Sequence, residues 1–418
     1  MNIIQELEWR GLLKQATNED KINQAQQNGA GVYCGFDPTA DSLHVGHLIP
    51  IILLSRFQKM GFKPIALIGG GTGMIGDPSF KSQERVLQTN EQVLVNVQGI
   101  QKQLKQMLHD VTFVNNYDWL NKLSLLDFLR DVGKDFTLSY LLAKESIASR
   151  ISTGLSITEF SYTMLQAYDF YQLYTTKNCK VQIGGSDQWG NITSGIDYIG
   201  SQIGRDKSEA AGITIQLLAK KDGQKFGKTE SGAVWLDPNK TSEYSFYQFW
   251  FNQNDDDCEM FLKFVTFLDQ QAIQDLMAQH QKNPAQRIMQ KVLAEEVTKF
   301  VHGAEGLKKA LLLTEAFFNG TVQDLDANLI TIAIASLQAP EIDSHETVID
   351  AIVQSGAASS RREAREFINN KAISFNEIIL EQEDQLLKDF PKLINNQFIL
   401  IKRGKKKYFA LKLKTSQN

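Results

Sequence analysis

The sequence predicts an α/β protein: a largely parallel sheet wrapped by helices over residues 1–241, an all-α domain over 242–341, and a small α+β domain over 342–418. Three observations carry this expectation. From Gly31 to about Leu218, short apolar runs of β-forming residues alternate with helical patterns, the arrangement that builds a parallel sheet with helical crossovers. From Ser242 to about Phe318 only helix-period segments occur, such as AQRIMQKVLAEEVTKFVHG. The last stretch reads as a helix followed by short strands.

Five runs are the predicted strands of the first domain: GVYCGF, PIALIGG, VTFVNN, VQIGG and ITIQLL. Residues 119–160 are helical in pattern and form an insertion between the two halves of the sheet. GTVQDLDAN, from Gly320, is polar and weakly periodic, and leads as a connection toward Pro340. At 418 residues and 42% hydrophobic, the chain is long enough for a full core in two or three domains. Basic residues number 44 against 48 acidic, a net charge of −4, so any contact with nucleic acid must come from local patches. Cys34, Cys179 and Cys258 are odd in number and far apart, which suits a reducing compartment better than a disulfide framework or a zinc site. The N-terminal MNIIQELEWRGLL lacks the apolar core of a signal peptide. No run reaches the roughly 18 apolar residues of a membrane span. A soluble cytoplasmic protein is expected.

HVGH sets His44 and His47 three residues apart, after a strand and a polar turn and before an apolar run. A zincin helix needs H-E-x-x-H, a spacing these histidines do not have. Strand, turn and helix in that order place both rings in the first helical turn, where unpaired N–H groups and the dipole favour phosphate. Gly46 would let a flat ring approach the backbone. GGGTGMIGDPSFK contains G-x-G-x-x-G, but Asp77 and Pro78 stand where a dinucleotide fingerprint continues as helix, so a substrate loop ending in Lys81 and Arg85 is the better reading. Tyr162, Gln166 and Asp169 project from one helical face beside apolar neighbours, as in a polar pocket wall. In VQIGGSDQWGN, the strand end at Gly185 followed by Asp187 and Gln188 marks the carboxyl edge of the sheet, and an ionised Asp187 suits a ribose diol. Lys225 and Lys228 lie on a glycine-containing loop able to close on a triphosphate. Arg361, Arg362 and Arg365 open a late helix, and Lys402, Arg403, Lys405, Lys406 and Lys407 lie next to Tyr408 and Phe409, a mixture that suits an RNA backbone. Taken singly, each feature also has a plain structural reading: a helix cap, a satisfied buried network, a charged hairpin, a solvated tail.

Taken together, YCGFDPTADSLHVGH, GDPSFK, SYTMLQAYD, GGSDQWGN and KFGKT resemble the class I aminoacyl-tRNA synthetases, and within them the bacterial-type tyrosyl family. The resemblance runs along essentially the whole chain. It implies a Rossmann-like catalytic domain over 1–241 with a dimer-forming insertion at about 119–160 and a signature loop at 225–229. A helical tRNA-binding domain over 242–341 and an RNA-binding domain of the ribosomal-protein S-four type over 342–418 would follow. By the same resemblance, Tyr33 and Asp169 would bond the substrate phenol, and Asp77, Tyr162 and Gln166 its ammonium, with Gln188 near the reacting carboxylate. His44, Gly46, His47, Gly185 and Asp187 would face ATP, with Asp37 and Thr39 in the same cleft. Lys81, Arg85, Lys225 and Lys228 would gather at the departing pyrophosphate. ATP is implied as substrate, with Mg2+ accompanying it and no protein-bound metal. Implied partners are L-tyrosine, tRNA(Tyr) and a second copy of the chain, with no membrane. The rival readings are a tryptophanyl-type enzyme and a catalytically silent RNA-binding relative.

Overall fold

The structure is a computed structural model that describes residues 1–79, 88–151, 154–217, 228–229 (backbone), 232–404 and 407–414. The chain forms two compact units, one of residues 1–237 with 253–297 and the other of 238–252 with 298–418.

The first unit is built on six strands: β1 (Leu13–Ala16), β2 (Gly31–Phe36), β3 (Lys63–Ile68), β4 (Thr112–Asn115), β5 (Cys179–Gly185) and β6 (Ala211–Ile215), in the order β1-β6-β5-β2-β3-β4. Strands β2 to β6 are the five expected from their apolar runs. They pair in parallel, with Tyr33 opposite Ile65 on one side and Gln182 on the other. Most residues of β2, β3, β5 and β6 are buried, as a parallel sheet covered on both faces requires. The antiparallel edge strand β1 was not expected, because LKQA offers too little apolar pattern to announce itself.

The helices Leu48–Lys59, Asn90–Met107, Ile157–Lys177 and Trp189–Ile203 cover the sheet. The insertion is a set of short helical turns between Tyr117 and Ile151, packed through Phe136 against Tyr198 at 5.6 Å between ring centres. A two-stranded ribbon, β7 (Lys228–Thr229) and β8 (Gly232–Ala233), precedes a stretch in which Val234 and Leu236 pair with Val45 and Leu43. Helices Asp255–Val265 and Gln270–Lys282 also belong to this unit.

In the second unit, the helices Glu243–Phe251 and Ala327–Ser336 accompany the far part of Ile288–Asn319, which is broken at Gly303 (φ 72°). The connection from Gly320 thus contains a full helix, capped by the Asp326 side chain. A five-stranded sheet follows in the order β11-β10-β12-β13-β9, from β9 (Glu341–Ile342), β10 (Ile373–Phe375), β11 (Ile378–Ile379), β12 (Phe398–Arg403) and β13 (Lys407–Leu413). Helices Val348–Gln354 and Arg361–Asn369 pack on it over Ile352, Phe375 and Ile399. The β10–β11 turn holds both Asn376 and Glu377 at positive φ, 44° and 77°, the geometry that Asn-Gly usually supplies. No helix among the described residues is long and apolar enough to cross a membrane.

Candidate active site

Strand β2 pairs with β3 on one side and β5 on the other, so the connections turn in opposite directions at the β2–β5 seam. Open parallel sheets leave a crevice beyond the carboxyl ends of the strands at such a seam. Here it is a cavity of about 300 Å3.

At the inner end of the cavity stand Tyr33, from β2, and Asp169, from the helix Ile157–Lys177, each 1% exposed. Both oxygens of Asp169 are held: Oδ1 accepts from Trp119 Nε1 at 2.7 Å and Oδ2 from Asn116 Nδ2 at 2.9 Å. Burial pushes this carboxyl up to about 7 against the pull of those two donors, and the nearby Asp37 adds to the rise. The Tyr33 hydroxyl is buried with no protein partner, and so is Gln182 Oε1 on the same cavity wall. Buried polar atoms left without partners call for a ligand that supplies them.

Three further carboxylates, Asp37, Asp77 and Asp187, lie along the cavity. Asp37 accepts from Thr72 Oγ1 at 2.8 Å and from the Tyr162 hydroxyl at 2.7 Å. Asn116 also donates to Thr72 Oγ1, so Asp37, Thr72, Asn116 and Asp169 form one continuous chain of bonds. Asp77 accepts from Ser79 N–H at 2.9 Å and Gln188 Nε2 at 2.7 Å. Gln188 in turn accepts from Gln166 Nε2 and Asn191 Nδ2. The glycine run before Asp77 serves this packing: a Cβ at Gly69 would fall 2.0 Å from Asp37 Oδ1, and one at Gly73 2.8 Å from the Pro38 ring.

At the mouth, His44 caps the short turn Val45–His47, and its Nδ1 accepts from Gly46 N–H at 3.0 Å. His47 Nδ1 accepts from His44 N–H at 3.2 Å. A ring nitrogen that accepts carries no proton, so both rings are neutral and hold their proton on Nε2, as donors. Burial above all pushes His47 down to about 3, so it stays neutral across the physiological range. The rings lie 4.1 Å apart between centres. A Cβ at Gly46 would meet the His44 ring at 2.7 Å, so a larger residue would force that ring to shift.

The structure brings the expected small-molecule residues together. Tyr33, Asp37, Thr39, Asp77, Tyr162, Gln166 and Asp169 line the one cavity, as do Gly46, His47, Gly185, Asp187 and Gln188, with the His44 ring tilted against that of His47. Lys81, Arg85 and Lys225 lie outside the described residues, and of Lys228 only the backbone is described, in β7. Sequence reasoning missed Thr72, Asn116, Trp119 and Gln182. Asn116 and Trp119 follow directly on β4 in VNNYDW, at the sheet's carboxyl edge, and that position was the available signal.

The expected basic surface lies in the second unit and is in part committed internally. Arg361 pairs with Asp350, and Arg365 with Glu383. Lys402 donates to Gly320 O at 2.6 Å, while the Arg403 guanidinium bonds Ala357 O between the rings of Phe367 and Phe409. Arg362 and Lys407 are exposed, and Lys405 and Lys406 lie outside the described residues.

Comparison with known proteins gives a consistent likeness. Residues 25–319 match the family described as tRNA synthetases class I (W and Y), and residues 331–411 match the Tyrosine–tRNA ligase SYY-like C-terminal domain. The Tyrosine–tRNA ligase of Mesoplasma florum is 63% identical over 414 residues, 99% of this chain and 100% of the relative. That of Staphylococcus saprophyticus is 50% identical, covering 99% of each. Among solved structures, a C-terminally truncated mitochondrial tyrosyl-tRNA synthetase of Coccidioides posadasii superposes with a TM-score of 0.66 at 32% identity, over 74% of this chain and 91% of that one. Likeness of this extent, over a cavity built from the very stretches that carry the sequence signatures, means that the chain belongs to the class I tyrosyl-tRNA synthetase family.

Proposed function

We propose that the chain is a tyrosine–tRNA ligase, activating L-tyrosine with ATP and passing it to the terminal adenosine of tRNA(Tyr). One observation carries the choice of amino acid: a buried Tyr33 hydroxyl without a partner, beside an Asp169 carboxyl that Asn116 and Trp119 hold in place. A phenol O–H entering there donates to Asp169 and accepts from Tyr33. Asp77, Tyr162 and Gln166 receive the ammonium, and Gln188, held by Asp77, lies near the carboxylate. In the first step the tyrosine carboxylate attacks the α-phosphorus, the bond to the bridging oxygen breaks, and pyrophosphate leaves. A ribose hydroxyl of the tRNA then attacks the acyl carbon and AMP departs. A carboxylate is already a nucleophile, so the enzyme's task is alignment and stabilisation of charge.

His44 and His47 donate through Nε2–H to ATP, Gly46 and Gly185 let the nucleotide approach, and Asp187 takes the ribose, with Asp37 and Thr39 beside it. Mg2+ enters with ATP as part of the substrate. Lys81, Arg85, Lys225 and Lys228 neutralise the leaving pyrophosphate. In support, the stretch after β8 is bonded to residues 43–45, beside the histidines. Helical residues 242–341 and the domain 342–418 take the tRNA, through Arg361, Arg362, Arg365, Lys402, Arg403 and Lys405 to Lys407. The insertion joins two copies in a homodimer, supported by its exposed Leu125, Leu126, Leu129, Leu138 and Ile157. The cytoplasm is where these substrates are met.

ATP–pyrophosphate exchange by the purified chain, run with each of the twenty amino acids and no tRNA, tests the assignment. Tyrosine alone should drive exchange. Exchange with tryptophan moves the specificity to the neighbouring type, and silence with all twenty rejects the enzyme. Lys228→Ala should lower the adenylation rate with tyrosine affinity kept; a loss of affinity alone would refute its role.

A further inference from the structure

The turn Val45–His47 runs directly into the helix Leu48–Lys59, most of whose residues are buried. A helix so enclosed shifts as a rod, so whatever fixes its far end also fixes the rings at its start. Arg56 stands near that far end, roughly 13 Å along the axis from His47 at ~1.5 Å per residue. It is 3% exposed. Its guanidinium donates to the main-chain oxygens of Lys263 (3.2 Å), Phe264 (3.3 Å) and Thr266, and meets Glu6 Oε1 at 3.4 Å. These carbonyls close the helix Asp255–Val265, an end that lacks intrahelical donors and carries the negative pole of the dipole. The other end of that helix is tied as well: Asp255 meets His280 at 3.1 Å and bonds Gln290. An apolar side chain could fill the place of Arg56 without the cost of burying a charge; what the guanidinium adds is a fixed relation between two helices.

We propose that Arg56 is a positioning residue for the histidine pair: by gripping the carboxyl end of Asp255–Val265 it sets the axial position of Leu48–Lys59, and with it the Nε2–H groups of His44 and His47. The proposal rests on the reading that those histidines face ATP. Arg10 is the internal control. It donates to Lys263 O (2.9 Å) and Leu268 O (2.8 Å) and shares Glu6, but it caps the helix Ile3–Trp9, which carries no residue of the cavity.

The test compares Arg56→Met, Arg56→Lys, Arg10→Met and His47→Asn in the full chain, by exchange kinetics, thermal melting and 15N signals of the histidine rings. Arg56→Met should lower kcat about 10- to 100-fold, as small misplacements of reacting groups do. Tyrosine KM should stay within about twofold, Arg56→Lys should recover part of the rate, and the signals of both rings should shift. Arg10→Met should melt earlier and keep its kcat. Equal rate losses in the two methionine variants, or unshifted ring signals in Arg56→Met, overturn the proposal. Should Arg56→Met not fold, wild-type rate and ring signals in Arg56→Lys overturn it. Wild-type kcat in His47→Asn instead rejects the ATP reading itself, whereas a slow His47→Asn beside a normal Arg56→Met rejects only the coupling.

Discussion

The cavity of the first unit and the basic face of the second both rest on charged groups held by partners, yet the two regions are built on opposite terms. In the cavity, Asp169 and its donor Asn116 are 1% and 0% exposed, and each bond has replaced water. On the basic face, Arg365 and Glu383 keep 54% and 38% of their side-chain surface in solvent. A buried partner cannot be replaced by water when it is removed, whereas an exposed one can. The buried region therefore suits discrimination between small molecules, and the exposed one suits exchangeable, salt-sensitive contact with a polyanion.

Asp169→Ala should break the contrast most severely, abolishing most of the preference for tyrosine over phenylalanine in kcat/KM. Tyrosyl-tRNA synthetase is itself the known example of such a site, with ~10⁵-fold discrimination, a magnitude of the family and independent of the distances given above. An intact preference in the variant would remove Asp169 as the phenol's acceptor. Next in size is Arg150→Met, which strands the Glu159 carboxylate at 1% exposure and should cost about 3–5 kcal/mol in urea unfolding. Arg365→Gln, its exposed counterpart, should change stability by less than ~1 kcal/mol while weakening RNA binding and flattening its salt dependence. Equal costs for the two would erase the distinction between a buried and an exposed ion pair.

The pH dependence sharpens the same point. Asp169 is raised in the folded state, so its contribution to stability is greatest below the ordinary carboxylate value near 3.8 and is lost as pH rises toward about 7. Tyrosine binding runs the other way, since the phenol O–H bonds best to the ionised form. KM for tyrosine should rise about 30-fold from pH 8 to pH 5.5 as the ionised fraction falls. An unchanged KM would mean that the carboxyl titrates outside this window. The smallest effect is expected at the β10–β11 turn: Glu377→Gly relieves a φ of 77° and should raise stability by about 0.4–1 kcal/mol, read from the melting transition.

Strands β2 to β6 were legible because each is an apolar run ended by turn residues, and the residues that line the cavity were legible because they sit in a few continuous stretches. Asn116 and Trp119 were not, because their meaning depends on Asp169, some 50 residues away, and only the closed sheet brings them together. Strand β1 escaped because LKQA carries too little apolar pattern, and only its ladder with β6 identifies it. Nothing in the composition from 242 to 318 announces that residues 253–297 pack with the sheet unit, a placement to which Arg10 and Arg56 contribute across more than 200 positions. Local pattern records propensity, and long-range closure leaves no period behind.

The seam at which the cavity lies also sets a timetable for the ribosome. Strand β2 is complete at Phe36, but β5, its partner across the seam, begins only at Cys179, about 140 residues later. At ~5–20 residues per second, the growing chain carries an unpaired edge on β2 for roughly 7–30 s. During that interval β2 and β3 form an apolar ribbon open to other chains. Neither substrate can assist by binding early, because the wall formed by Gln182 to Gln188 does not yet exist. Until β5 is added, that edge of β2 has no partner strand from its own sheet.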